Sequence, residues 1–394
     1  MRRPSQFVLV FGFVAFVAFG LADSVLGVAW PSVRHGFGVS QSALGMVLTS
    51  MMVGAFGAGV WSGGSLQRLG VGRHLALSSC VASLALLGYA CAPAWGVFVP
   101  LGAVLGFGLG SIDSGLNSYA ARHFSLRQVN WLHACWGIGA ALGPMLMTLV
   151  IALGLGYRLG YFVLATLLGA MGVMFVVTRR AWGVSPAREV PASLFRAGVP
   201  GALGYGPVGL QLATFFAYTG LETTLGQWCY TVMHEGRASS VEVAGSWTAS
   251  YWASLTVGRV VLGSLIDRVG PDRMVRLCLV LVVVGSTMFA VDWGGLGAPA
   301  LLIVGVGLAP VFPTLMAHTP TRVGEALSSQ AVGLQISAAT LGSALVPAGV
   351  GLLVPAGGLE VVGKAAVAAA LVLFVLHELV CRQAKAQARP SLRA

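Results

Sequence analysis

Apolar residues run through this chain in blocks of roughly twenty, separated by short polar breaks. A block of that length crosses a bilayer as an α-helix. The blocks fall at 7–30, 42–64, 74–93, 95–121, 131–154 and 158–178, then at 206–232, 243–266, 274–292, 296–319, 327–353 and 358–381. The pattern predicts twelve spans and an all-α membrane protein. The connections are too short to hold a second soluble domain.

The pattern also repeats. A polar break after the second span reads GGSLQRLGVGRH from Gly63 to His74, and one after the eighth reads GSLIDRVGPDR from Gly263 to Arg273. Gly106-x-Gly108-Leu109 in the fourth span has a counterpart at Gly305-x-Gly307-Leu308 in the tenth. His133 precedes a small-residue run ending at Pro144, and Gln335 precedes one ending at Pro347. A near-constant offset of half the chain implies two six-helix halves in parallel repeat. The expected division is 1–178, a cytoplasmic linker at 179–205 rich in Arg and Pro, 206–381, and a cytoplasmic tail at 382–394.

Composition agrees with the blocks. The chain is 57% hydrophobic and 9% charged, against about 25% charged in soluble domains. Its net charge of +11 does not point to nucleic acid. With the N-terminus inside, 18 of the 23 Lys and Arg fall in cytoplasmic segments. Arg34, Arg158, Arg237 and Lys364 fall outside, and Arg259 lies within a span. That asymmetry is the positive-inside rule, so the charge sets topology and places both termini in the cytoplasm. The start, MRRPSQ before a long apolar run, reads as a permanent first helix rather than a cleaved signal. The six cysteines lie at no ligand or disulfide spacing and read as packing residues.

Polar groups inside the spans are the candidate chemistry. The stretch GFGLGSIDSGLN, Gly106 to Asn117, places an acid in the fourth span, where an ionisable group is costly and functional by default. Gly106, Gly110, Asp113 and Asn117 share one helical face. The glycines admit a close neighbour, and Asp113 and Asn117 can act on one ion or ligand. In the seventh span Gln211, Phe215, Tyr218 and Glu222 share a face. Polar tips between aromatic walls suit a sugar-sized solute. Gln227 extends this set, and Trp228 either joins it or anchors at the interface. Asp23 lies in the first span, facing either the binding cavity or a hydrated vestibule. His133 opens the fifth span as a proton shuttle or a packing residue. Arg259 needs an acidic partner, for which Asp267 and acids of neighbouring helices are candidates. Pro310 and Pro313 interrupt the tenth span, as a gate or a plain kink.

The pattern Gly-x-Leu-x-Asp-Arg-x-Gly at Gly263–Gly270 resembles the loop signature of the major facilitator superfamily. Four further stretches are similar to the fucose–proton symporter family and its sodium-dependent glucose transporter relatives. These are GLGSIDSGLN at 108–117, NWLHACWGIGAALGP at 130–144, YTGLETTLGQW at 218–228 and GVGLAPVFPTL at 305–315. The resemblance implies two pseudo-symmetric six-helix bundles, with spans 1, 4, 7 and 10 lining a central cavity. It implies that Asp267, Arg268 and Arg68 belong to a cytoplasmic latch, weaker in the first copy where Gln67 replaces the acid. It implies proton coupling at Asp113, with His133 and Asp23 as further candidates. Substrate contacts are expected from Asp23, Asn117, Gln211, Phe215, Tyr218, Glu222, Gln227, Trp228 and Gln335. Counting back from Pro31, taken as a helix end, the family's helix-1 acid falls nearer Gly27 than Asp23.

The expected function is secondary active transport of a sugar or similar small polar solute, coupled to protons or sodium. The expected setting is the inner membrane, as a monomer. The alternative is a proton-coupled antiporter exporting drugs or metabolites, for which Gly139-x-x-x-Gly143-Pro144 is a partial signature. A transporter-like sensor usually carries an added cytoplasmic domain or long tail, and only about 13 residues follow the last span. No enzyme is indicated. GLEVVGK at Gly358–Lys364 continues with Ala365 where a phosphate-binding loop needs Ser or Thr, and His377–Glu378 lacks a second histidine. No cofactor or metal is called for.

Overall fold

A computed structural model describes residues 6–182, 206–323 and 325–388. The linker expected at 179–205 therefore lies largely outside the described residues, and of the tail expected at 382–394 the backbone is described as far as Ala388, as the end of the last helix. The side chain of Asp267 lies outside them too.

The described residues form helices. In hydrocarbon each backbone N–H and C=O must be satisfied within the segment, and the helix does this locally. The first half contains α1 (Gln6–Asp23), α2 (Leu26–Phe37), α3 (Leu44–Leu69), α4 (Val71–Cys91), α5 (Trp95–His123), α6 (Leu126–Ala152) and α7 (Gly156–Thr178). The second contains α8 (Gly206–Thr231), α9 (Val241–Val269), α10 (Pro271–Val291), α11 (Gly297–Leu308), α12 (Val311–Ala317), α13 (Thr319–Val323), α14 (Glu325–Gly357) and α15 (Val361–Ala388). A single π-helical turn, Val232–Gly236, continues α8.

Among the described residues ten segments are long and apolar enough to cross a membrane by themselves. The first is α1 with α2, and another is α11 with α12. Together with α8 and α9 they give twelve. Large apolar side chains such as Val14, Val60, Val177 and Leu352 are exposed, as expected where the solvent is lipid.

Local sequence sets the corners. Leu69 ends α3 and Val71 begins α4, with Gly70 between them at φ 74°. The second copy repeats this: Gly270, at φ 87°, joins α9 to α10, and Pro271 opens α10 where its missing N–H costs nothing. The repeat read at an offset of about 200 in the sequence is therefore one turn built twice. Ser125 caps α6: its Oγ accepts from the Gln128 N–H, and Gln128 Oε1 accepts from the Ser125 N–H.

Backbone packing divides the chain into two compact units. One gathers the described residues of Met1–Ala187, Gly226–Ala253 and Ala348–Leu359. The other gathers those of Arg188–Leu225, Ser254–Pro347 and Glu360–Ala394. In the first, α3 packs on α5, α4 on α7 and on α5, and α1 on α6. In the second, α10 packs on α11 and on α15.

Two interruptions matter for function. The first span breaks at Ser24–Val25, immediately after Asp23. Pro31, read as ending a helix, instead lies inside α2. The tenth span breaks at Ala309–Pro310, where the sequence places the first of the two prolines expected to interrupt it.

Candidate functional site

The first unit holds a carboxyl pair. Asp113, on α5, accepts a hydrogen bond from Asn117 Nδ2 at 2.8 Å. The one-turn spacing read from the sequence therefore joins these two groups. Asp113 also interacts electrostatically with Asp23. Asp23 is the last residue of α1, where the helix stops, and α1 packs beside α5. Around this break α1 also packs closely on α6. A Cβ on Gly20 would collide with the Trp136 carbonyl, and one on Gly139 with that of Val17. A Cβ on Gly143 would meet the Leu21 carbonyl and Ser24 Oγ, each at 2.5 Å. Gly139 and Gly143, the partial antiporter signature, are thus required by helix packing around the Asp23 break. His133 is exposed, with its ring edge-on to Phe16 at 5.6 Å between centroids.

A buried histidine missing from the sequence reading lies against the same helix. His74, on α4, donates from Nε2 to the Ser111 carbonyl at 2.8 Å, because a carbonyl can only accept. Its Nδ1 lies 2.8 Å from Ser65 Oγ, and its ring stacks on Trp61. One imidazole thus ties α3, α4 and α5 together in the half whose loop carries Gln67 in place of the acid. Arg68 is exposed.

At its other end, the first unit is closed by segments from both halves of the sequence. Gly27, on α2, lies against the backbone of Gln227, where a Cβ would sit 2.8 Å from Gln227 Cα. Gln227 and Trp228 are buried, and Trp228 packs against Gly351. Full burial removes Trp228 from the interfacial belt. Trp136 meets Trp252 edge to face at 5.9 Å. Nearby, Arg34 Nη2 donates to both oxygens of Glu235, at 2.9 and 3.0 Å. Gln41 Nε2 also donates to Glu235, and His35 Nε2 lies 3.0 Å from it. No local sequence pattern links Arg34 to Glu235, 201 positions away.

The second unit holds a half-buried ion pair. Arg259, on α9, donates from Nη2 to Glu222 Oε1 at 3.1 Å, and Tyr218 Oη donates to the same oxygen at 2.9 Å. The partner of Arg259 is therefore an acid of the neighbouring helix. Tyr218 Oη also lies 3.2 Å from the carbonyl of Leu308, the last residue of α11 before the break. Phe312, just past the break, meets Phe215 at 5.1 Å and Tyr218 at 5.8 Å between ring centroids. The aromatic face read on the seventh span is thus completed from the broken tenth. Pro310 caps α12, and Pro313 lies within it, exposed.

Gln211 and Gln335 form a separate cluster. Gln335 Nε2 donates to Gln211 Oε1 at 2.6 Å, and Thr319 Oγ1 donates to Gln335 Oε1 at 3.0 Å. All three are buried. Gln211 lies eleven residues before Glu222, roughly 16 Å along the helix. The glutamines therefore satisfy each other at a distance from the ion pair. On the side of the basic loops, Arg322 Nη2 donates to Asp272 at 2.8 Å, and Arg276 pairs with Glu378. Arg268 is exposed.

The profile of the Major Facilitator Superfamily matches residues 12–239 and 209–393. A gallate transporter of Pseudomonas putida is 26% identical over 77% of this chain and 73% of its own. The glucose/mannose transporter GlcP of Bacillus subtilis is 18% identical over 86% of this chain and 85% of its own. Among solved structures, a single-substitution mutant of the nucleoside transporter NupG superposes with a TM-score of 0.80 at 14% identity, covering 95% of this chain and 98% of that one. A mutant of the E. coli fucose:proton symporter FucP superposes with a TM-score of 0.64 at 14% identity, covering 96% of this chain and 99% of that one.

Proposed function

The chain belongs to the Major Facilitator Superfamily, a multi-pass integral membrane transporter of a small solute and not an enzyme, and from that premise we propose that it couples solute movement to a cation by alternating access. The observation that carries this is the placement of two acids, Asp23 at the end of α1 and Asp113 on α5, on apolar helices that pack beside each other within one unit. Two acids on neighbouring helices in an apolar setting hold full charge together only at a cost, so one proton or sodium ion is a natural third member. Opening to water on either side changes their solvation and hence their hold on the ion. Asn117, which already bonds Asp113, keeps the carboxyl oriented through the cycle.

The solute side is assigned to Tyr218, Glu222, Phe215 and the adjoining Phe312. A ring-shaped polar solute stacks on the aromatic side chains and gives its hydroxyls to Glu222 and Tyr218. A sugar fits this description, and the similarity to the glucose/mannose transporter GlcP supports it. Gln211 and Gln335 are assigned a gating rather than a binding part, because their amides are occupied by each other. The division at 179–205, both termini in the cytoplasm, the inner membrane and a monomeric state complete the proposal, with the topology supported by the charge asymmetry of the loops.

The test is uptake by purified protein in liposomes, screened over labelled sugars with imposed pH or sodium gradients. Accumulation that collapses when the gradient is abolished supports the reading. Uptake indifferent to both gradients would overturn it.

A further inference from the structure

We propose that Arg259 binds a carboxylate on the transported solute, and that Glu222 is the group Arg259 releases in order to do so. The inference rests on the coupled-transport reading above and, among the small polar solutes it admits, replaces the sugar by an organic acid with a flat or aromatic ring.

The argument starts from cost. A guanidinium inside a span is expensive, and its neutralisation by Glu222 recovers only part of that. A pair of this kind is a poor way to hold two helices together, since packed apolar residues of similar volume do so as well or better. The pair is joined through Tyr218 to the broken end of α11, which points to use rather than to packing. A neutral sugar does not require a cation, because uncharged groups or a carboxylate can serve its hydroxyls. The planar fork of an arginine matches a carboxylate in shape and charge.

The surroundings fit the same ligand. Arg259 keeps 26% of its side chain exposed while Glu222 keeps 12%, so the guanidinium is the more open partner. Phe312 is partly exposed beside buried Phe215 and Tyr218, which offers a ring face next to the charge. Arg259 Nη2 reaches Glu222 through Oε1, at 3.1 Å. An incoming carboxylate can exchange that contact for a two-oxygen grip. Tyr218, which already bonds Glu222, retains that acid when the arginine turns away. Site charge then falls by one unit on binding, which a co-transported cation offsets.

The experiment measures binding to the full-length protein in nanodiscs at neutral pH, using 4-hydroxybenzoate, its uncharged analogue 4-hydroxybenzamide, and glucose. The wild type is expected to bind the acid about tenfold or more above the amide, the margin of one charge-assisted contact over a neutral one. Arg259→Gln is expected to erase that ratio. Glu222→Gln, which keeps the cation and removes its competitor, is expected to raise the acid-to-amide ratio severalfold. A purely structural pair would lower thermal stability in both variants without altering the acid-to-amide ratio. That result overturns the proposal, as does a wild type that binds the amide or glucose in preference to the acid, or binds no acid at millimolar concentration. Should Arg259→Gln fail to fold, Glu222→Gln decides alone: an unchanged acid-to-amide ratio refutes the assignment. Gradient-driven sugar uptake with no acid binding would leave the transport reading standing and remove this one.

Discussion

Replacing Glu235 by Gln removes the charge that holds Arg34 at the end of α2. The loss can be sized from the geometry. Glu235 takes two N–H···O contacts from Arg34 and one from Gln41. Both members of the pair are mostly buried, with 19% and 17% of their side chains exposed. Hydrogen bonds to charged groups contribute roughly 1.5–3 kcal/mol. The glutamine keeps part of the hydrogen bonding, and the residual exposure weakens the charge. A loss of about 2 kcal/mol follows, and at about 1.4 kcal/mol per tenfold that is close to thirtyfold in the equilibrium between closed and open forms of this end. Spin labels at Ser40 and Ser240, both exposed and in the same unit, would read the distance by electron–electron resonance. Glu235→Gln should add or enlarge a long-distance population, and Arg34→Gln should do the same. Exchanging the two charges, Arg34→Glu with Glu235→Arg, should restore the short distance. Unchanged distance distributions in both single variants would refute this role for the Arg34–Glu235 pair and leave the Trp136–Trp252 contact to hold this end.

Three other outcomes are expected. Asp113→Asn should retain exchange of labelled for unlabelled solute but lose gradient-driven accumulation, because no charge can be gained or lost at that position; full accumulation in liposomes would move the coupling role to Asp23. Gly139→Ala should lower the melting temperature in detergent by the equivalent of about 1–3 kcal/mol, since any Cβ there strikes the Val17 carbonyl; an unchanged melt would refute the close packing of α1 on α6. His74→Ala should cost about 2–4 kcal/mol, from two lost hydrogen bonds and a lost ring contact, while Gln67→Ala should be nearly silent; equal effects in a thermal melt would count against His74 as the tie of the first half.

The spans were legible because a bilayer demands apolar blocks of fixed length, and composition records that demand directly. Asp113 with Asn117, and Tyr218 with Glu222, were legible because a one-turn spacing on one helix is a local fact. The break after Asp23 was not. Ser24 and Val25 carry no glycine or proline signal, whereas Pro31, which does, sits within α2. Pairings across the fold were partly readable at best. Arg259 demanded an acid, and a neighbouring helix supplies Glu222. Arg34 and Glu235 appeared only as loop charges, and the glutamines at 211 and 335 appeared as ligand contacts because nothing local says that they meet each other. Trp228 had two environments open to it, and only packing against Gly351 chooses between them.

The Glu222–Arg259 pair also bears on how the chain enters the membrane. Helices α8 and α9 are the two that fall outside the ten segments apolar enough to insert by themselves. A charge at the centre of an inserting helix costs about 2.5–3.5 kcal/mol. Glu222 and Arg259 lie on consecutive helices, so each supplies the other's counter-charge within one hairpin. The translocation machinery should therefore retain α8 until α9 has emerged and release the two into lipid as a unit. A ribosome stalled between them would leave the seventh span outside the bilayer, waiting for its partner.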